Sequence, residues 1–93
     1  MIVSIMTIKL YASWVHSLKE KRMIVNSICN KLKNKFNISI IESDEQDLHQ
    51  TIVISIAYLS ANKALSHSIS EKIISFTETN TEATIINITH EDL

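Results

Sequence analysis

SLKEKRMIVNSICNKLKNKF, residues 17–36, is the stretch on which the fold turns. Ser17 followed by Glu20 has the spacing of a capping box. The hydroxyl accepts from the Glu20 backbone N–H and the carboxylate reaches back. Downstream, Leu18, Val25, Cys29, Leu32 and Phe36 recur at helical spacing. One apolar stripe results, which predicts an amphipathic helix over 18–36 with Asn37 as its stop. On the amino-terminal side, IVSIMTIKLY (2–11) is rich in β-branched residues and holds no turn residue, so it reads as a strand. ASWVH (12–16) is the connecting loop. On the other side, ISIIES (38–43) reads as a second strand. A helix between two strands is the first half of the pattern.

The second half repeats it. DEQDLHQ (44–50) is a polar loop, and TIVISIAYL (51–59) is a third strand with Ile52, Ile54, Ile56 and Tyr58 on one face. Ser60 has the chemistry of a helix cap. Ala61, Leu65, Ile69, Ile73 and Phe76 then step by three and four, predicting a second helix to about residue 79. ATIINITH (83–90) closes the chain as a fourth strand. The order β-α-β-β-α-β, with right-handed crossovers, puts both helices on one face of a four-stranded antiparallel sheet. The expected fold class is therefore α+β, a ferredoxin-like plait, in a single domain over residues 1–93. The other face of the sheet carries Val53, Ala57 and Leu59. A half-apolar open face calls for a cover, so a homodimer is expected, through the sheet face or by edge pairing.

Composition narrows the function. The 93 residues include 17 Ile, one Cys, no Gly and no Pro. A lone cysteine excludes a disulfide framework and a multi-cysteine metal site. The absence of glycine excludes phosphate loops and dinucleotide turns, which need it for close backbone approach. The amino terminus has no basic n-region, and no apolar run approaches the ~18 residues of a membrane span. An untargeted cytoplasmic chain is expected, with no membrane contact.

The net charge of −1 conceals a dipole. Lys19, Lys21, Arg22, Lys31, Lys33 and Lys35 lie on the first predicted helix against Glu20 alone, a balance of +5, so the rest of the chain carries −6. Three of these cations fall in the first two turns. There the helix dipole disfavours positive charge by roughly 0.3–1 kcal/mol each, and free backbone N–H groups attract an anion. His16, Ser17, Lys19, Lys21 and Arg22 are the expected anion-binding corner, and Lys31, Lys33 and Lys35 extend it. The bland reading is a solvated helix whose lysine stems cover the core edge.

His16-Ser17-Leu18-Lys19-Glu20-Lys21-Arg22 resembles the signature of the bacterial YlxP-like family. The resemblance continues through Phe36-Asn37-Ile38-Ser39, Glu42 and Asp47-Leu48-His49-Gln50, and covers essentially the whole chain. Ser4 stands where the family commonly has glycine. Ser13-Trp14-Val15 replaces a loop that often holds proline or glycine, and His49 replaces the usual aromatic. The resemblance implies a ferredoxin-like plait of unassigned function, encoded beside translation initiation and ribosome-maturation factors.

Other groupings read as structural. Asp44, Glu45, Asp47 and His49 form an acidic loop without the glycine of a calcium loop, read as solvated. Cys29 on the apolar stripe reads as a buried small hydrophobe, and His67 as an exposed helix residue. Trp14 and Tyr11 flank the first loop, as stacking surfaces or as loop anchors. Only Tyr11 and Tyr58 supply strand aromatics, too few for an RNA-recognition sheet. No paired carboxylates, triad or activated nucleophile is evident, so no enzyme, cofactor or metal is expected. The function expected is a non-enzymatic accessory that binds structured RNA or a ribosomal subunit through the basic helix. The alternative is a protein-interaction or small-ligand-sensing dimer.

Overall fold

A computed structural model describes residues 1–93. The elements are β1 (Ile2–Tyr11), α1 (Leu18–Lys35), β2 (Ser39–Asp44), β3 (Thr51–Ser60), α2 (Lys63–Asn80) and β4 (Thr84–Asp92). The strands form one antiparallel sheet in the order β2-β3-β1-β4. This is the ferredoxin-like α+β plait that the alternation of strand and helix patterns predicts.

The central pair β1 and β3 supplies the floor of the core. Met6 faces Ile56, Ile8 faces Ile54 and Leu10 faces Ile52 across the ladder, and all six are fully buried. Above them lie Val25, Ile28 and Leu32 of α1 and Ile73 of α2. Each such side chain contributes roughly 1.5–3 kcal/mol on burial. Phe36 and Phe76 close the gap between the helix ends edge-to-face, with centroids 5.7 Å apart.

Three expectations change. The cap of α2 is Asn62, whose side chain accepts from the Leu65 N–H at 2.9 Å. Ser60 is still in the ladder opposite Ile2, so the strand outlasts the first capping residue in the sequence. The buried stripe of α1 is Lys21, Val25, Ile28 and Leu32, and Cys29 is only half-buried beside it. The open sheet face is also less apolar than its sequence suggests. Val53, between Lys9 and Asp44 in register, is buried. Across the middle, Thr7, Ser55 and Ser43 link by hydroxyl hydrogen bonds of 3.0 and 2.6 Å. Exposed apolar surface on that face narrows to Ile5, Ile41, Leu59 and their neighbours. Neither helix is long and apolar enough to cross a membrane.

Candidate nucleic-acid interface

The β1–α1 loop and the β2–β3 loop meet at one end of the sheet. Ser17 starts α1 as the sequence predicts, accepting from the Glu20 N–H at 3.1 Å. The reciprocal bond from the Glu20 carboxylate does not form. Gln50 ties the two loops together, donating to the carbonyls of Ser13 (3.1 Å) and Val15 (3.4 Å) while its own carbonyl accepts from Ala12 N–H at 2.8 Å.

Lys21 is the main departure from the expected anion corner. Its side chain is 1% exposed. The ammonium donates to the carbonyls of Glu45 and Leu48, both at 2.6 Å, and pairs with Glu42 Oε2 at 2.9 Å. Both of its hydrogen bonds and its ion pair run into the protein. A buried charge costs several kcal/mol unless it is paired and hydrogen-bonded, and here it is both. Lys21 is thus a brace for the 45–48 turn and is removed from the set of phosphate contacts. The turn needs bracing, because Glu45 sits at φ 52, the left-handed region, in a chain with no glycine. Lys9 holds the Glu45 carboxylate at 3.0 Å. Instead of being simply solvated, the acidic loop is partly neutralised by Lys9 and held by Lys21 through its backbone carbonyls.

The other expected site residues remain on the surface. His16, Lys19, Arg22, Lys31, Lys33 and Lys35 are exposed, and Ser17 is half-buried at its cap. None of the five exposed α1 cations is in an intramolecular ion pair; the pairs present are Lys9–Glu45, Lys21–Glu42, His67–Glu71 and His90–Asp92. At about 100° per residue, Lys19, Arg22 and Lys33 fall on the outer flank of the helix. Lys31 and Lys35 fall on the flank toward α2, where Lys35 shares a groove with Lys72, Ser75 and Thr79. The basic surface is thus two stripes around α1. Trp14 (43% exposed) and Tyr11 (40%) stand at the same end.

A second polar cluster lies at the opposite, carboxy-terminal edge. Asp92 Oδ1 accepts from Ser4 Oγ at 2.7 Å and Ser66 Oγ at 3.2 Å, and lies 2.8 Å from His90 Nε2. The hydrogen bond from Ser4, then that from His90, holds the Asp92 carboxyl below its ordinary range. Ser4, at a position where the YlxP-like resemblance has glycine, thus acquires a role as a buried donor. The four residues come from three separate elements, so no local spacing announces them. His90 touches neither serine; the carboxylate stands between them, which is the wrong order for a base to activate a hydroxyl. Burial pushes the Cys29 thiol up, the Glu42 carboxylate adds to this and Lys33 opposes it, which makes the thiol a poor nucleophile. No group of three or more His, Cys, Asp or Glu gathers to hold a metal ion.

Fold and site together define a small ferredoxin-like domain with two braced loops and a basic first helix. The chain belongs to the family described as Protein of unknown function (DUF503), whose model matches residues 3–90. It is 35% identical over 60 residues to "Uncharacterized protein YlxP" of Bacillus subtilis (strain 168), covering 64% of this chain and 65% of that protein. Among the residues that carry the YlxP-like resemblance, Ser17 caps the helix, and Lys21, Glu42, Gln50 and the Leu48 carbonyl brace the loops.

Proposed function

We propose that the chain is a non-enzymatic accessory protein of the translation machinery, cytoplasmic, that binds structured RNA or a ribosomal subunit through α1. His16, Lys19 and Arg22 contact phosphates at the first turns, Lys33 extends this flank, and Lys31 and Lys35 serve the second stripe. Ser17 fixes the helix start, and Lys21 acts from inside by holding the adjoining turn. The observation that supports the reading is the set of five exposed α1 cations with no carboxylate of their own. A polyanion supplies those partners and releases counterions on binding.

The test is binding of a short structured RNA, followed by fluorescence anisotropy from low to moderate salt. Log affinity is expected to fall linearly with log salt, by about 0.9 per phosphate contacted. The Lys19→Glu/Arg22→Glu double variant loses binding, while Lys19→Gln alone weakens it. Unchanged affinity in the double reversal overturns the site. A self-association reading has its own observation, the exposed Ile5, Ile41 and Leu59 on the open sheet face. It predicts a dimer in sedimentation equilibrium that Leu59→Lys dissociates.

A further inference from the structure

A groove of about 280 Å³ runs between α1 and the junction of α2 with β4. We infer that it takes one unpaired guanine base of an RNA strand, an inference that rests on the RNA reading above. Trp14, Met23 and Ile24 form its apolar wall. Trp14 and Met23 are 43% and 66% exposed, large apolar side chains left uncovered in the folded chain. Trp14 has no aromatic partner; the ring pairs are Phe36–Phe76 and Tyr58–His90. A free indole face beside a methionine offers a stacking platform, the usual means of holding a splayed-out base.

Charge selects a nucleotide over an apolar peptide side chain. Lys19 lies one turn before Met23 on α1, and Lys31 lies one turn after Ser27, which also lines the groove. The two cations therefore stand one helical turn beyond each end of the α1 residues that line the groove, about 18 Å apart along the helix axis, where phosphates of the strand on either side of the base can reach them. The rim then favours one base. Asn80 donates its amide to the Phe76 carbonyl at 2.8 Å, which leaves its side-chain oxygen as an acceptor. Glu82, exposed and in no ion pair, adds a carboxylate. Two acceptors suit guanine, whose N1–H and exocyclic amine are adjacent donors.

The chain has a single tryptophan, so its fluorescence reports the groove directly. The probes are a short RNA hairpin with one bulged guanine, the same hairpin with a bulged adenine, and its fully paired counterpart. The bulged-guanine RNA is expected to quench Trp14 and to bind about tenfold tighter than the paired one. Trp14→Ala removes that advantage. Glu82→Gln, at an exposed position that leaves folding intact, removes the preference for guanine over adenine. Equal, salt-dependent binding of bulged and paired RNA without quenching overturns the inference and leaves the phosphate site standing. No binding of any probe at low salt overturns both. A fluorescence change produced by raising protein concentration alone assigns the groove to a second copy of the chain, which also overturns the inference.

Discussion

The ammonium of Lys21 lies 2.9 Å from Glu42 Oε2, with the lysine side chain 1% and the glutamate 19% exposed. The contact joins α1 to the edge strand β2 beneath the turn that follows it. Removing either partner leaves a charge without compensation. Lys21→Met is therefore expected to lower the free energy of unfolding by about 3–5 kcal/mol, measured by urea denaturation. Adding Glu42→Leu recovers only part of this, because the carbonyls of Glu45 and Leu48 still lack a donor, at about 1–3 kcal/mol each.

Charge reversal on the helix exterior has the opposite consequence for stability. Lys19 and Arg22 stand near the positive end of the helix dipole, and neither is in an ion pair. Lys19→Glu/Arg22→Glu is expected to raise the melting temperature slightly, each change gaining roughly 0.3–1 kcal/mol at low ionic strength. On the proposed RNA reading, the same variant is expected to lose RNA affinity. A variant that melts higher yet binds less separates a functional cost from a folding defect.

Acid should act through Asp92. Its carboxyl is held below the ordinary range chiefly by the Ser4 hydrogen bond, so folding favours the charged form. The stability this contributes is complete above the unfolded carboxylate value of about 3.9 and is lost as pH falls through the lower folded value. Ser4→Ala and Asp92→Asn are each expected to flatten the acid limb of the stability–pH curve below about pH 4. Thermal melts across that range make the comparison.

Cys29 gives a chemical readout of the same interior. Burial raises its thiol, with Glu42 acting in the same direction and Lys33 against it. Alkylation by iodoacetamide at neutral pH is expected to be slower than for a free thiol and to accelerate as pH rises. Lys33→Gln slows it further. Reaction as fast as a free thiol at neutral pH contradicts this environment.

Much of the fold was legible because it rests on period. Ile52, Ile54, Ile56 and Tyr58 alternate without interruption, and all four are buried as that alternation requires. Ser17 announces α1 through its cap chemistry. Local readings failed where two residues offered the same signal. Ser60 and Asn62 both have capping side chains, and ladder pairing with Ile2 decided between them. Ile28 and Cys29 are adjacent apolar residues, and the helix buries the first. Lys21 failed for another reason. Its spacing to Val25, Ile28 and Leu32 was visible, but lysine is almost never fully buried unless paired, and its partner Glu42 lies on another element. The Ser4, Ser66, His90 and Asp92 cluster left no local trace at all.

The hold of Lys21 on the Glu45 and Leu48 carbonyls has a kinetic consequence. A hairpin turn with exposed residues ordinarily opens on its own, far below the cost of unfolding the domain. Here, opening must draw an ammonium out from between helix and sheet. The turn and α1 therefore belong to one cooperative unit, and the Leu48 amide, bonded to the Glu45 carbonyl at 3.1 Å, should exchange with solvent deuterium at nearly the rate of the helix core.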